Sequence, residues 1–358
     1  MSRIRLPLLL GVAHGVADGA AGWLLGRLSH SMALEQVALL VLMYNVLAFG
    51  GQPLAGLIAD RLARPRAVAL LGLLLLSAAL LTADLPKFAV LLAGLGSAAF
   101  HVGGGALAFC ATPGRAAGPG VFAAPGVIGL AAGGLLAVSG VNALWLLLPP
   151  LVLLMLAVVL CELPALPYVE PAAHSALPDR HDLIMLVLLV GIAMRSLVWN
   201  IAQMLVEGQH EQLLLLALGA ACGKIVGGWL ADRVGWRRWT LSALLVAAPL
   251  LFFGGRSLPV LVLGVALLQS ASPAALAMTW RLLPSQPALA AGLALGLAIA
   301  IGGVPTLLGS AVLLSTPALL LGSLLAAALA LWWALPRRTA RAVPVAHPPD
   351  PLTRGGAL

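Results

Sequence analysis

The chain has 358 residues, of which 61 % are hydrophobic and only 9 % charged, and its mean hydropathy is +1.06. A water-soluble domain of this length needs far more charge on its surface, so lipid is the expected solvent. The formal net charge of +8 does not mark a nucleic-acid binder, because the basic residues are scattered at the ends of apolar runs rather than clustered on one polar face.

In chain order, apolar runs of about 20 residues, enough for a helix to cross a hydrocarbon core, follow one another with little between them. They cover Leu6–Leu28, Leu34–Ala59, Arg66–Ala83, Pro86–Cys110, Gly118–Ser139 and Val141–Cys161. A run rich in proline and polar residues then separates Leu163 from His181. The apolar pattern resumes over Asp182–Val206, Gln212–Ala231, Trp239–Phe253, Leu258–Trp280, Ala288–Leu313 and Thr316–Ala334. The first run is long and carries Asp18, so it reads as a span and not as a cleaved leader. The expected fold is an all-α polytopic membrane protein of about twelve transmembrane helices in two pseudo-symmetric six-helix bundles. Its parts are an N-terminal bundle (1–163), a cytoplasmic linker (164–181), a C-terminal bundle (182–336) and a disordered cytoplasmic tail (337–358). Short connections make consecutive spans antiparallel neighbours and leave no room for a soluble catalytic module.

A repeat supports the duplication. Gly56-Leu-Ile-Ala-Asp60-Arg61-Leu-Ala-Arg64-Pro-Arg66 ends the second span, and Gly228-Trp-Leu-Ala-Asp232-Arg233-Val-Gly-Trp-Arg237-Arg238 ends the eighth. Such internal repetition is a mark of solute transporters. Asp60 and Asp232 read as gating residues: a carboxylate at a helix end can hold the N-terminus of a neighbouring helix, with Arg61, Arg64, Arg233 and Arg237 as further partners. Arginines collect at the ends that also carry both termini and the central linker. The positive-inside rule therefore places those ends in the cytoplasm. Few lysines beside abundant Ala, Leu and Gly suit a bacterial inner membrane.

Ionisable groups within spans are costly and mark function. Asp18 lies near the middle of the first span, and His14, one turn earlier, shares its face. His101 falls in the fourth span and Arg195 in the seventh. Asp18, His14 and His101 are the candidate proton-coupling residues. Arg195 is the candidate substrate residue, able to neutralise Asp18 or to meet an anionic group, with Trp199, Gln203, Tyr44 and Asn45 as further cavity contacts. Lys224 reads as a snorkelling residue. Gly11, Gly15 and Gly19, and Gly292 with Gly296, form small-residue ridges suited to close helix packing. Cys110, Cys161 and Cys222 lack paired spacing, so neither a disulfide nor a zinc site is indicated by them.

The Gly-x-x-x-Asp-Arg loop, repeated at both expected places, resembles the signature of the major facilitator superfamily. His14-Gly-Val-Ala-Asp18, Gln52-Pro-Leu-Ala-Gly56, Gly94-Leu-Gly-Ser-Ala-Ala-Phe100-His101, Arg195-Ser196 and Ala290–Gly303 are similar to segments of its fosmidomycin-resistance-type efflux transporters. The chain departs from that group where Phe100-His101 is followed by Val102-Gly103 instead of Pro-Glu. It also lacks a Gly-Pro step in Gly129–Gly134. The resemblance implies a secondary active transporter, not an enzyme: proton-coupled efflux of a small organic or drug-like solute by a monomer, with no cofactor. Uptake or uniport of a metabolite is the alternative. From another class come an intramembrane metalloenzyme, with His14, Asp18 and His101 as ligands, and a non-transporting scaffold.

Overall fold

The computed structural model describes residues 4–163, 180–254, 257–307 and 316–337. Residues 164–179 of the expected linker, 308–313 of the eleventh span and 338–358 of the expected tail lie outside the described residues. Among the described residues, twelve helical rods follow the apolar runs closely: α1 (Arg5–Arg27), α2 (Leu34–Leu62), α3 (Pro65–Leu81), α4 (Pro86–Ala111), α5 (Ala117–Val138), α6 (Leu144–Leu160), α7 (Arg180–Met204), α8 (His210–Val234), α9 (Trp236–Gly254), α10 (Leu258–Leu282), α11 (Pro287–Pro305) and α12 (Pro317–Ala334). Arg180 and His181, assigned above to the linker, belong to the first turn of α7.

Proline and glycine set many of the boundaries. Pro65, Pro86, Pro287 and Pro317 each open a helix, where their missing N–H costs nothing and their fixed φ suits the first turn. The two copies of the signature loop turn at equivalent positions, three residues after the aspartate: Ala63 has φ 51° and Gly235 φ 104°. Two rods are locally widened into π-helix, α2 at Val46–Gly50 and α11 at Gly292–Leu297, and α10 is interrupted at Ala271.

Among the described residues, α1, α2, α4, α5, α7, α8, α10 and α11 are long and apolar enough to cross a membrane, and α3, α6 and α12 are shorter apolar helices. Large apolar side chains such as Leu39, Leu153 and Leu329 turn outward, as expected for a chain solvated by lipid.

Within the first half α1 packs on α5 and α4, and α3 on α4 and α6; within the second, α8 and α9 pack on α10, and α7 on α11 and α12. The halves meet chiefly along α5 against α8 and along α2 and α4 against α11. The α1/α5 seam is lined with glycine because backbone there lies directly on backbone. A Cβ added at Gly129 would run into the Gly15 carbonyl, one at Gly133 into the Gly19 carbonyl, and one at Gly22 into the Leu130 carbonyl. The ridge of Gly11, Gly15 and Gly19 is thus a packing surface. Gly129→Ala is expected to cost about 1–3 kcal/mol through overpacking, and to lower both the melting temperature and the monodisperse yield in detergent. A variant that melts with the wild type would show that α1 and α5 have room to separate.

Candidate functional site

Three side chains from two helices converge near the middle of the first half. Residues four apart on a helix share a face, so α1 presents His14 and Asp18 together, and α4 brings His101 against them. His14 Nε2 lies 3.1 Å from Asp18 Oδ2 and 2.9 Å from His101 Nε2, while His101 Nε2 lies 3.8 Å from Asp18 Oδ1. Both histidines are buried and the Asp18 side chain is 14 % exposed. Gly126 of α5 makes room for the group, since a Cβ there would strike the His14 ring and the Asp18 carboxylate. Phe122 stacks on His14, with ring centroids 4.8 Å apart.

The outer hydrogen bonds fix both tautomers. His14 Nδ1 donates to the Phe122 carbonyl at 2.9 Å, and His101 Nδ1 donates to the Ser97 carbonyl at 2.7 Å. A carbonyl oxygen only accepts, so each Nδ1 carries a hydrogen and each neutral ring turns its Nε2 lone pair inward. Two lone pairs at 2.9 Å repel unless a positively charged acceptor of electron pairs sits between them. One proton shared between the two Nε2 atoms would turn that repulsion into a hydrogen bond, and the Asp18 carboxylate stands beside it.

The other half supplies positive charge. Arg195 of α7 is buried, and one of its terminal nitrogens donates to Gln269 Oε1 of α10 at 2.8 Å, while its Nε has no partner among the described residues. Lys224 of α8 reaches the Ala123 carbonyl of α5 at 3.3 Å. Neither pairs with Asp18 among the described residues: of the two roles expected for Arg195, neutralising Asp18 is not seen, and the guanidinium donates to a neutral amide instead. Lys224 does not snorkel away from the interior as expected; it turns towards the space between the halves.

That space is a cavity of about 220 Å³. His14, Asp18 and His101 form part of one wall, and Arg195, Lys224 and Gln269 part of the other. Trp199 and Gln203 line it as the spacing from Arg195 predicts. Tyr44 and Asn45 do not: the Tyr44 hydroxyl donates to Ser97 Oγ behind His101, and the Asn45 amide donates to the Val41 carbonyl of its own helix. The lining continues to Leu135, Gln203 and His210, near the ends of α5 and α7 and the start of α8.

The opposite end is closed by two crossed contacts. Asp60, at the end of α2, accepts hydrogen bonds from the Ala288 and Leu289 amides at 3.0 and 2.8 Å, at the start of α11. Asp232, at the end of α8, accepts from the Ala116 and Ala117 amides at 2.7 and 3.1 Å, at the start of α5, and from Trp236 Nε1 at 3.0 Å. A carboxylate on free helix N-terminal amides satisfies orphan donors and meets the positive end of the helix dipole. The expected arginine partners are elsewhere. Arg233 lies over the Trp229 ring and Arg237 over Trp332, 3.4 and 4.1 Å from the centroids. Arg61 and Arg64 are exposed, and among the described residues neither reaches Asp60.

Solved structures share this arrangement of helices. The chain aligns with the FucP transporter of the major facilitator superfamily in its outward conformation at a TM-score of 0.72 and 15 % identity, covering 93 % of this chain and 99 % of that one. The chain has the major facilitator fold. The human organic anion transporter MFSD10 (TETRAN) shares the fold at a TM-score of 0.67 and 17 % identity, over 93 % of this chain and 99 % of that one. A bacterial homologue of the iron transporter ferroportin in an outward-facing state does so at 0.60 and 15 %, over 92 % and 97 %. No family model matches the sequence, and no curated protein matches it. Of the site residues expected from the sequence, His14, Asp18, His101, Arg195, Trp199 and Gln203 come together at the cavity. Sequence reasoning missed Lys224 as a cavity residue, and it missed Gln269, whose amide within the apolar run of α10 was the available signal.

Proposed function

We propose that this chain is a secondary active transporter that moves a small organic anion by alternating access, coupled to protons bound at His14, His101 and Asp18. The two expected six-helix bundles, 1–163 and 182–336, would rock about the α5/α8 and α2/α11 seams. The observation that carries the reading is the two-signed cavity: the histidine–aspartate cluster faces Arg195 and Lys224 across one space. A proton between the two Nε2 atoms would balance Asp18, while Arg195, whose Nε has no partner among the described residues, is suited to a carboxylate, phosphonate or sulfonate. Trp199, Phe49 and Leu295 supply apolar surface for the rest of such a molecule. With the arginine-rich ends in the cytoplasm, the closed Asp60/Asp232 end faces inward and the cavity leads outward. Two of the solved structures named above are themselves outward-facing.

Proton-coupled efflux across a bacterial inner membrane is the direction that the resemblance to the fosmidomycin-resistance type suggests. One feature favours the opposite direction. A proton at Asp18 relieves the repulsion that an anion in the same cavity would meet, so proton and anion bind cooperatively, which is the logic of cotransport.

The test uses inverted membrane vesicles carrying the full chain, with proton movement followed while phosphonate, carboxylate, phenolic and cationic compounds are added. Export coupled to proton entry collapses the imposed gradient, and cotransport moves protons with the solute. Absence of solute-dependent proton movement with folded protein would overturn the coupled reading. Arg195→Gln is expected to weaken binding of the active compound by about 10- to 100-fold, the worth of a charge-assisted hydrogen bond of roughly 1.5–3 kcal/mol, read as a loss of ligand-induced thermal stabilisation. Unchanged binding would remove Arg195 from the solute site.

A further inference from the structure

The same cluster has the construction of a metal centre. We propose that His14, His101 and Asp18 bind one divalent transition-metal ion, admitted through the cavity. The ion would take the same atoms that the transport reading gives to the coupling protons, so the two compete for one site, and metal binding is read independently of any solute movement.

Ligand convergence is the first ground. Two imidazole nitrogens and a carboxylate oxygen lie within 4.8 Å of one another. Ligands about 2.0–2.1 Å from a tetrahedral ion stand roughly 3.3 Å apart, and the pairs here are separated by 2.9, 3.1 and 3.8 Å. Shifts of a few tenths of an ångström bring all three into place.

The second ground is independent of those distances. Metal-binding histidines characteristically donate their other ring N–H to a carbonyl or carboxylate, which fixes the ring and raises its basicity. Both histidines do so here, from His14 to the Phe122 carbonyl and from His101 to the Ser97 carbonyl. Ser97 is itself held by the Tyr44 hydroxyl at 3.3 Å, so the support extends a further shell outward. The Nε2 atoms that this leaves turned towards Asp18 are the ones a metal ion would take.

The donor set narrows the ion. Two imidazoles and one carboxylate suit Zn²⁺, Co²⁺, Ni²⁺ or Fe²⁺, whereas Ca²⁺ and Mg²⁺ call for oxygen ligands. Three protein ligands leave a coordination position open, and Asp18, His14 and His101 all border the cavity, so water or an anionic solute can fill it. Arg195 and Lys224 on the far wall oppose an added cation, and Asp18 offsets part of that cost. Binding displaces any proton held between the histidines, so it releases protons and weakens as pH falls.

The experiment takes the full chain, purified in detergent without a polyhistidine tag and stripped by chelator, and titrates it with Co²⁺ by visible absorption and with Zn²⁺ by calorimetry. One ion per chain is expected, with loss of at least about 10-fold in affinity in His14→Gln and in His101→Gln. His30→Gln, which alters a histidine bonded to the Ala137 carbonyl outside the cluster, keeps the wild-type affinity. Thermal melting of the same samples reports folding. If the cluster variants do not fold, X-ray absorption on the Zn²⁺-loaded wild type decides: two imidazole nitrogens with oxygen support the site, and sulfur or a single imidazole overturns it. Failure of the wild type to bind, or binding that survives in His14→Gln and His101→Gln, overturns it equally.

Discussion

Asp18→Asn is expected to end uphill transport while solute exchange continues. The substitution keeps the shape of the side chain, and its amide can donate to the His14 Nε2 lone pair that now faces the carboxylate at 3.1 Å. What disappears is the charge. A carboxylate within 3.1–3.8 Å of the two Nε2 atoms attracts a positive charge placed on the histidine pair, and the amide does not. The variant therefore gives His14 a neutral donor but no longer offers the negative charge that would hold a proton on the histidine pair. Arg195 and Lys224, across the cavity, remain able to hold the solute. Reconstituted into liposomes, the variant should exchange labelled for unlabelled solute at near the wild-type rate, while accumulation driven by a pH gradient falls by at least about 100-fold. Wild-type accumulation would show that the driving proton sits elsewhere. Loss of exchange as well would make Asp18 part of the rocking machinery instead of a coupling site.

The second large effect concerns the closed end. Asp60→Asn combined with Asp232→Asn is expected to shift the protein towards the state open on that side. Each carboxylate accepts from two main-chain amides of the opposite half of the chain, and hydrogen bonds to a charged group contribute about 1.5–3 kcal/mol each. An asparagine offers one oxygen and no charge, so the pair of substitutions removes several kcal/mol from the closed arrangement. About 5.5 kcal/mol suffices to turn a 1:99 equilibrium into 99:1. The shift can be read with Ala291→Cys in a background freed of Cys110, Cys161 and Cys222. Ala291 is buried, and its Cβ lies where α11 meets Gly105 of α4. Labelling by a hydrophilic thiol reagent should accelerate by about 10-fold or more in the double variant. An unchanged rate would mean that packing along α2 and α11, not the aspartates, holds that end shut.

Much of the fold was legible because each element is written in a single stretch of chain. A helix that crosses lipid must satisfy its own backbone and expose apolar side chains, so the length of an apolar run predicts its bounds, as α1, α4 and α5 show within a residue or two. The repeated aspartates were legible for a related reason: a carboxylate at a helix end has few uses, and binding helix N-termini is one of them. Their supposed arginine partners were not, because flexible exposed side chains choose among several acceptors, and Arg233 and Arg237 lie on indole rings. Facing pairs were harder still. His14 and His101 meet across 87 positions of sequence, and nothing in either helix alone announces the shared space between their rings. Lys224 was misread for want of the same information. The length of its stem suggested an interface, whereas the direction of α8 and the nearby Ala123 carbonyl turn the ammonium inward.

The crossed contacts at the closed end bear on how freely this sequence can change. Asp60 and Asp232 grip the main chain at residues 116, 117, 288 and 289, so the side chains there take no part in the recognition. An amide N–H is common to every residue type except proline. Recognition through the main chain therefore leaves the half-buried positions 117 and 289 open to many residue types, whereas at Ala116 and Ala288, both fully buried, packing and not the hydrogen bond sets the limit. The two aspartates have no such freedom: on each side of the clasp one partner is held by its chemistry and the other only by its size.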